Sequence, residues 1–183
     1  MKTIVMYYSF SGNTKALAHK KTQELGADIE EITEVKRPFM PIGIHRAVNR
    51  VRTEILPIES QLDDYDEIII MSPVWADYPV SAIYSLIDRL PESKRVELIM
   101  VSGGGGTRSS AEGTIALVAD KGCEVVGYTD VEVKVNRKTG EVTTKTIEKG
   151  SNLSYLVPIV IVGSIILLVA GVYWLGRMSS KQK

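Results

Sequence analysis

A loop rich in hydroxyl groups follows the first strand that the sequence predicts. It reads, in order, Ser9, Phe10, Ser11, Gly12, Asn13 and Thr14. Its hydroxyls can donate hydrogen bonds, its glycine leaves backbone N–H groups accessible, and the helix that begins inside it attracts negative charge. These features predict a phosphate-binding loop that needs neither metal nor lysine; a plain helix cap is the structural alternative. The spacing matches neither a Walker loop nor G-x-G-x-x-G, which argues against a nucleoside triphosphate or a Rossmann-type dinucleotide.

Two further loops of unusual composition follow the third and fourth predicted strands. The first carries two large aromatic side chains between prolines: Ser72, Pro73, Val74, Trp75, Ala76, Asp77, Tyr78 and Pro79. The second is rich in glycine: Ser102, Gly103, Gly104, Gly105, Gly106 and Thr107. Aromatic rings at the end of a strand suit stacking on a flat ligand, and glycines let backbone amides approach it closely. The structural alternatives are aromatic packing over the sheet edge and a flexible linker.

Apolar strands alternate with helical segments over residues 1–131. Strands are predicted over Thr3–Tyr8, Ile29–Ile32, Glu67–Met71, Val96–Val101 and Glu124–Val135, and helices over Asn13–Leu25, Val80–Leu90 and Ser109–Lys121. Uninterrupted apolar strands separated by helices indicate a parallel sheet that is covered on both faces. The sequence therefore predicts a doubly wound α/β domain, in which ligands bind at the carboxyl ends of the strands. Because all three loops follow strands, we expect them to converge on one ligand.

Two segments interrupt this alternation. Lys36–Arg52 carries five basic residues and no acidic one. We interpret it as a solvated face, with Arg46 and Arg50 one helical turn apart, or as a docking surface for anionic headgroups or an acidic redox partner. Val131–Ile147 alternates around Asn136–Gly140, which predicts a β-hairpin where a last helix would be expected.

A long apolar run lies near the end of the chain. Between Gly150 and Gly176 there is no acidic residue, lysine, arginine or histidine. Its central part is long enough, at about 1.5 Å per residue, to cross a hydrocarbon core of about 30 Å. The predicted organisation is a domain over 1–131, a hairpin and linker over 132–152, a transmembrane helix over 153–175 and a basic tail over 176–183. More lysines and arginines precede the helix than follow it, so we expect a single-pass cell-membrane protein whose N-terminal domain faces the cytoplasm.

Composition excludes several classes of function. The chain has 183 residues, one cysteine, two histidines and a net charge of zero. A nucleic-acid-binding protein usually has a broad basic field, so no nucleic-acid partner is expected. Cys123 cannot form an intramolecular disulfide and is expected to be a small buried apolar residue, while His19 and His45 are far apart in sequence. No metal site and no catalytic residue is predicted.

The three loops together, in this order, resemble those of the flavodoxins. The resemblance covers residues 1–131 and rests on a Ser/Thr-x-Ser/Thr-Gly-x-Thr loop, a Pro-Val-Trp-Ala loop and a Ser-Gly-Gly-rich loop. It implies the strand order 2-1-3-4-5 and FMN as cofactor. It places the phosphate on Ser9, Ser11, Gly12, Asn13 and Thr14. It places the isoalloxazine between the loop that holds Trp75 and Tyr78 and the loop Ser102–Thr107.

The chain also departs from the flavodoxin pattern. Asp77 stands where similar sequences commonly have glycine, whose peptide can flip to hydrogen-bond the reduced flavin. A hairpin replaces the closing helix of the family, and a C-terminal membrane anchor is uncommon among its members. The first departure affects the one-electron chemistry and leaves FMN binding as expected.

These features together predict a membrane-anchored, flavodoxin-like FMN protein that carries electrons between redox partners. The donor or acceptor would be a redox protein or a membrane quinone. An alternative is an FMN-dependent reductase or oxidase of a quinone or another membrane-associated substrate, because some flavodoxin-like proteins oxidise protoporphyrinogen with a membrane quinone as acceptor. Whether the protein is an enzyme is therefore open. A third reading is a flavin-free membrane interaction module, which the complete phosphate loop disfavours.

Overall fold

Parallel strands form the middle of the sheet. The computed structural model describes residues 1–135 and 142–147. Its strands are β1 (Thr3–Tyr7), β2 (Asp28–Glu31), β3 (Glu67–Trp75), β4 (Tyr78–Pro79), β5 (Arg95–Ser102), β6 (Glu124–Val135) and β7 (Val142–Ile147). Their order is β2-β1-β3-β5-β6-β7, and β4 pairs only with β3. Without the short strand β4, the five parallel strands have the flavodoxin-like order 2-1-3-4-5, so the predicted order is confirmed.

Both faces of the sheet are buried. The helices are α1 (Asn13–Leu25), α2 (Met40–Val48), α3 (Ser81–Ile87) and α4 (Ala111–Ala119). Successive side chains of a strand point to opposite faces, and β1 accordingly divides between two apolar clusters. Ile4 and Met6 pack in the cluster that contains residues of α3 and α4, whereas Val5 and Tyr7 pack in the cluster that contains Ala18 of α1. The predicted doubly wound α/β architecture is therefore present.

The strand β3 and the basic segment differ from the sequence-based prediction. The strand β3 extends beyond Met71 to Trp75 and turns back into β4, so the predicted aromatic loop is a hairpin. The helix α2 lies within the basic segment and ends at Val48. The interpretation that Arg46 and Arg50 share a helical face is wrong, because Arg50 follows the helix and has a φ of 52°.

The strands β6 and β7 form the predicted antiparallel pair. Their register runs from Asp130 opposite Ile147 to Val135 opposite Val142. The hairpin belongs to the same compact unit as the sheet, Met1–Ile147. Its predicted turn, Asn136–Gly140, lies outside the described residues.

The predicted membrane span concerns a part of the chain that the structure does not describe. Residues 153–175 and the basic tail 176–183 lie outside the described residues. Within the described ranges, none of the helices combines the length and the apolar character needed to cross a membrane.

Candidate functional site

The three loops predicted to bind a ligand all leave the sheet at one edge. The strands β1, β3 and β5 are parallel neighbours, and their register pairs Tyr7 with Met71 and Met71 with Ile99. The strand β1 ends at this level, and β3 and β5 continue beyond it in the same direction, to Trp75 and Ser102. All three predicted loops therefore follow this level on the carboxyl side of the sheet. The structure brings the predicted loops together as expected for a ligand site at the carboxyl edge of a doubly wound sheet.

The first loop presents free backbone amides at the start of α1. Gly12 is the N-cap residue of the helix with a φ of 94°, a conformation that only glycine adopts without strain, and it has no side chain to cap the helix. The hydroxyl oxygen of Ser9 accepts the N–H groups of Gly12 and Lys15 at 3.1 and 3.2 Å. Among the described residues, nothing accepts the N–H groups of Asn13 and Thr14. These two amides, together with the positive end of the helix, can bind an anion.

A cation that was not singled out in the sequence lies beside this loop. The Arg37 guanidinium donates hydrogen bonds to the carbonyl oxygens of Ser9 and Phe10 at 2.8 and 3.0 Å. It also lies 4.4 Å from the centre of the Phe10 ring. Arg37 therefore orders the loop and adds a positive charge next to the free amides. Its position in a basic segment was visible in the sequence, but its contact with the loop depends on the tertiary fold.

The second loop is a tight two-residue hairpin. Trp75 of β3 pairs directly with Tyr78 of β4, so both side chains project from the same face of the hairpin. Ala76 and Asp77 connect them with φ values of 48° and 69°. Positive φ at both central residues is typical of a type I′ turn, in which alanine is strained and aspartate is better tolerated.

The aromatic side chains of this hairpin are partly buried by the basic segment. The rings of Trp75 and Phe10 meet edge to face, with their centroids 5.1 Å apart. Trp75 also lies against Gly43 of α2, where a Cβ would be 2.1 Å from the indole ring. The Arg50 guanidinium lies 5.9 Å from the centre of the Tyr78 ring. Both rings are only partly exposed, because the segment between β2 and β3 packs over them.

The third loop is fixed to the sheet by a buried carboxylate. Asp130 of β6 is 2% exposed and Thr107 is fully buried. The N–H of Thr107 donates to both carboxylate oxygens of Asp130 at 3.2 Å, and its hydroxyl donates to one of them at 2.7 Å. A Cβ on Gly106 would lie 2.8 Å from the same carboxylate, so this glycine permits the close approach. Asp130 was not identified from the sequence because a single acid in a strand carries no signal of its partner.

A partly buried phenol of β6, that of Tyr128, lies beside the end of the third loop. The hydroxyl groups of Tyr128 and Thr107 are 2.5 Å apart. Burial raises the pKa of Tyr128 above its usual range, and the Asp130 carboxylate acts in the same direction, while the hydrogen bond with Thr107 opposes it. Tyr128 therefore stays protonated at neutral pH and can donate a hydrogen bond.

Asp77 joins the second loop to the residues that follow the third loop. The Ser110 hydroxyl donates to the backbone oxygen of Asp77. The Ser109 hydroxyl donates to the Asp77 carboxylate at 3.2 Å. Both serines lie just before α4, so the N-terminal end of α4 holds the hairpin in place.

The remaining residues that were weighed for chemistry lie apart from these loops. His45 is exposed on α2, the ring of His19 lies 6.2 Å from that of Tyr7, and Cys123 is buried with its thiol directed at the Pro91 carbonyl oxygen. Over residues 1–135 and 142–147, no group of three or more histidine, cysteine or acidic side chains is arranged to hold a metal ion.

Comparison with known proteins identifies the fold. The sequence matches no protein-family model and no curated protein. A flavoprotein from Lactobacillus acidophilus NCFM, crystallised in complex with FMN, aligns with a TM-score of 0.62 and 26% identity over 70% of this chain and 92% of that one. A protein from Bacteroides eggerthii DSM 20697 aligns with a TM-score of 0.59 and 21% identity over 70% of this chain and 87% of that one. The chain therefore has a flavodoxin-like α/β fold.

Proposed function

We propose that the protein is a membrane-anchored FMN protein that carries electrons between redox partners. The single observation that carries the proposal is the convergence of the three loops at the carboxyl edge of β1, β3 and β5. FMN, the cofactor predicted from the sequence, is the ligand of the similar L. acidophilus flavoprotein. The prediction of FMN is confirmed by this similarity.

The residues present fit FMN. The free N–H groups of Asn13 and Thr14 and the Arg37 guanidinium beside their loop suit the phosphate, which carries nearly two negative charges. Pro73, Val74, Trp75, Ala76, Asp77 and Tyr78 on one side, and Ser102–Thr107 on the other, would hold the isoalloxazine. When bound, FMN supplies the one- and two-electron chemistry, and the chain binds it, orients it and limits its access to solvent.

The membrane part of the proposal is supported by the sequence. The uncharged run from Gly150 to Gly176 has the length and composition of a membrane span. The excess of lysines and arginines before it favours a cytoplasmic N-terminal domain. In this arrangement the donor would be a soluble redox protein, and the acceptor a redox protein or a quinone dissolved in the bilayer.

A second candidate function is catalysis on the same fold. The same uncharged run would hold a flavin site close to lipid-soluble substrates, which favours an FMN-dependent reductase or oxidase of a quinone or of another membrane-associated substrate. Turnover of a quinone with a nicotinamide or protein donor, measured on the purified full chain, separates this enzyme from a carrier. A carrier exchanges electrons with its protein partners and shows no substrate turnover above that of free FMN.

The phosphate site is tested by comparing FMN with riboflavin, which lacks the phosphate. Gly12→Val strains the backbone, because a β-branched residue is disfavoured at a φ of 94°. Thr14→Ala removes a hydroxyl from the first turn of α1. Each variant is expected to weaken FMN binding by about tenfold or more, Gly12→Val because the strained loop presents its amides less well. For Thr14→Ala this matches about 1.5–3 kcal/mol for a hydrogen bond to a charged group. Riboflavin affinity, measured by the same flavin-fluorescence titration, should stay nearly unchanged, and equal FMN affinity in all three proteins would contradict the proposal.

Membrane topology is tested separately in sealed cells. A protease added outside the cells should leave the N-terminal domain intact, because the domain is proposed to face the cytoplasm. Degradation of that domain in sealed cells would show that the proposed orientation is wrong. Recovery of the full chain in the soluble fraction would show that the proposed membrane anchor is wrong.

A further inference from the structure

Large apolar side chains are exposed in one segment of the described chain. This segment connects β2 to β3 and contains α2. We call the following six side chains the apolar patch: Phe39, Met40, Ile42, Ile44, Val48 and Val51. Phe39 is 75% exposed and Ile42 is 51% exposed. Several exposed large apolar side chains within one short segment point to an interaction site in a folded protein.

The helix α2 buries its small residues and exposes its large apolar ones, which is the reverse of the usual arrangement. Its buried positions are the small residues Gly43 and Ala47, which allow the helix to approach Trp75 closely. Met40, Ile44 and Val48 follow one another at intervals of four residues and therefore form a stripe along one side of the helix. This stripe is exposed, so the large apolar residues of α2 contribute little to the core of the domain.

The charge around the apolar patch is positive. No acidic residue occurs between Lys36 and Arg52. Within the described part of the chain, Arg52 is the only cation of this segment in a salt bridge, with Asp88 at 2.9 Å. The remaining basic residues of the segment, Lys36, Arg37, Arg46 and Arg50, keep their charge uncompensated by any carboxylate there.

We propose that α2 docks on the surface of an anionic lipid bilayer. A short helix with an exposed apolar stripe and basic neighbours suits the boundary between headgroups and acyl chains, where apolar residues enter the interface and cations meet lipid phosphates. This inference rests on the membrane location in the proposed function, and it assigns the contact to α2 in addition to the C-terminal anchor. Because Gly43 of α2 touches Trp75, docking brings the hairpin of the candidate site close to the lipid surface.

The inference is tested with an environment-sensitive fluorophore on α2 of the full chain. The fluorophore is attached to Ile44→Cys after Cys123→Ser has removed the native thiol. The same fluorophore on Gln23→Cys, an exposed position of α1 on the other face of the sheet, is the matched control. Both proteins are reconstituted in vesicles of phosphatidylcholine alone or of phosphatidylcholine and phosphatidylglycerol in equal parts. Flotation of the vesicles reports the C-terminal anchor independently of the fluorophore.

Docking predicts a blue shift at position 44 in the anionic vesicles, quenching by brominated lipids, and neither effect at position 23. Charge reversal by Lys36→Glu with Arg46→Glu should abolish the shift, while Lys20→Glu with Lys121→Glu should preserve it. Flotation without a shift at position 44 would overturn the inference and leave the anchor intact. Failure of the protein to float would instead contradict the proposed anchor. A blue shift that appears only at higher protein concentration would assign the apolar patch to a contact with a second copy, and one that appears only with an added acidic protein would assign it to a protein partner. Either of these two results would also overturn the inference.

Discussion

Asp130 illustrates how one buried residue can determine the shape of a binding loop. Its carboxylate is 2% exposed, and no salt bridge of the described residues includes it. Its charge is instead stabilised by the N–H and hydroxyl of Thr107. Burying a carboxylate raises the free energy of the folded state unless such hydrogen bonds satisfy it. The position of Thr107, and with it the end of the third loop, is therefore strongly determined.

We expect Asp130→Asn to destabilise the domain and to make the third loop, Ser102–Thr107, less well ordered. In asparagine an NH2 group, which is a donor, replaces one of the two carboxylate oxygens that accept hydrogen bonds from Thr107. At least one hydrogen bond to a charged group would therefore be lost. The expected decrease in the free energy of unfolding is about 1.5–3 kcal/mol, together with weaker FMN binding. Urea denaturation and flavin titration measure the two effects. Asp120→Asn, at an exposed position that follows α4, should leave both unchanged; equal behaviour of the two variants would contradict the role of Asp130.

Asp77 places a negative charge in the loop predicted to cover the flavin. A carboxylate disfavours the addition of electrons to a nearby ring, although exposure of Asp77 to solvent reduces the effect. Asp77→Asn removes the charge and still tolerates the positive φ of 69°. We expect the first reduction potential of bound FMN to rise in this variant and to rise further in Asp77→Gly, whose peptide can also flip. Spectroelectrochemistry measures both, and an unchanged or lower potential in the glycine variant would show that the hypothesis is wrong.

The residue types of the three loops can be recognised in the sequence, but several of the side chains that contact these loops cannot be predicted from it. Hydroxyls and glycines directly after a strand indicate a loop that binds a ligand, because their chemistry is local. Arg37 and Asp130 reach the site from segments far along the chain, and only the fold brings them there. The sequence also does not reveal that Gly43 allows a helix to cover part of Trp75.

At the scale of elements, the strands β1, β3 and β5 were predictable because each contains an uninterrupted run of apolar residues and is followed by a helical segment. The bounds of α2 are not predictable from the sequence, because its stripe of large apolar residues does not face the core and its inward side consists of Gly43 and Ala47. The sequence predicts a loop in place of the hairpin β3–β4, because the turn of Ala76 and Asp77 lacks the glycine or asparagine that usually marks a type I′ turn.

We expect Gly43→Ala to destabilise the packing of α2 on the hairpin. Alanine normally favours a helix over glycine by about 1 kcal/mol, but here its Cβ would lie 2.1 Å from the Trp75 ring. The expected net loss of stability is about 1–3 kcal/mol, as for other overpacked positions. In a Trp174→Phe background, Trp75 emission should also shift to longer wavelength as the ring becomes exposed.

Gly113→Ala in α4 provides the matched control for this prediction. Its Cβ would meet the guanidinium end of the Arg50 side chain at 2.2 Å, and a flexible side chain can move away. Gly113→Ala should therefore cost less stability than Gly43→Ala and should leave Trp75 emission unchanged. Equal losses in the two variants would mean that contact with Trp75 does not hold α2 in place.

At the scale of the whole molecule, buried tyrosines occur on both faces of the sheet. Tyr7 and Tyr8 are each 3% exposed and Tyr84 is fully buried. Burial raises the pKa of Tyr7 above its usual range and raises those of Tyr8 and Tyr84 to about 12. The hydroxyl of Tyr8 donates to Glu34 at 2.8 Å, and the negative charge of that carboxylate also disfavours ionisation of the phenol.

The raised tyrosine pKa values predict that the domain loses stability in alkaline solution. An unfolded tyrosine ionises near pH 10, whereas the folded state keeps the proton of Tyr8 up to about 12. The folded state therefore binds more protons in this window, so the stabilising effect is complete below about pH 10 and is lost as the pH rises towards 12. Tyr8→Phe cannot ionise and should show a shallower decrease in unfolding free energy over the same range, although it loses the hydrogen bond to Glu34 at neutral pH. Urea denaturation at a series of pH values, with tyrosinate absorbance recorded in parallel, measures the slope of the unfolding free energy against pH in each protein. Identical slopes in wild type and Tyr8→Phe would show that Tyr8 does not contribute to the alkaline transition.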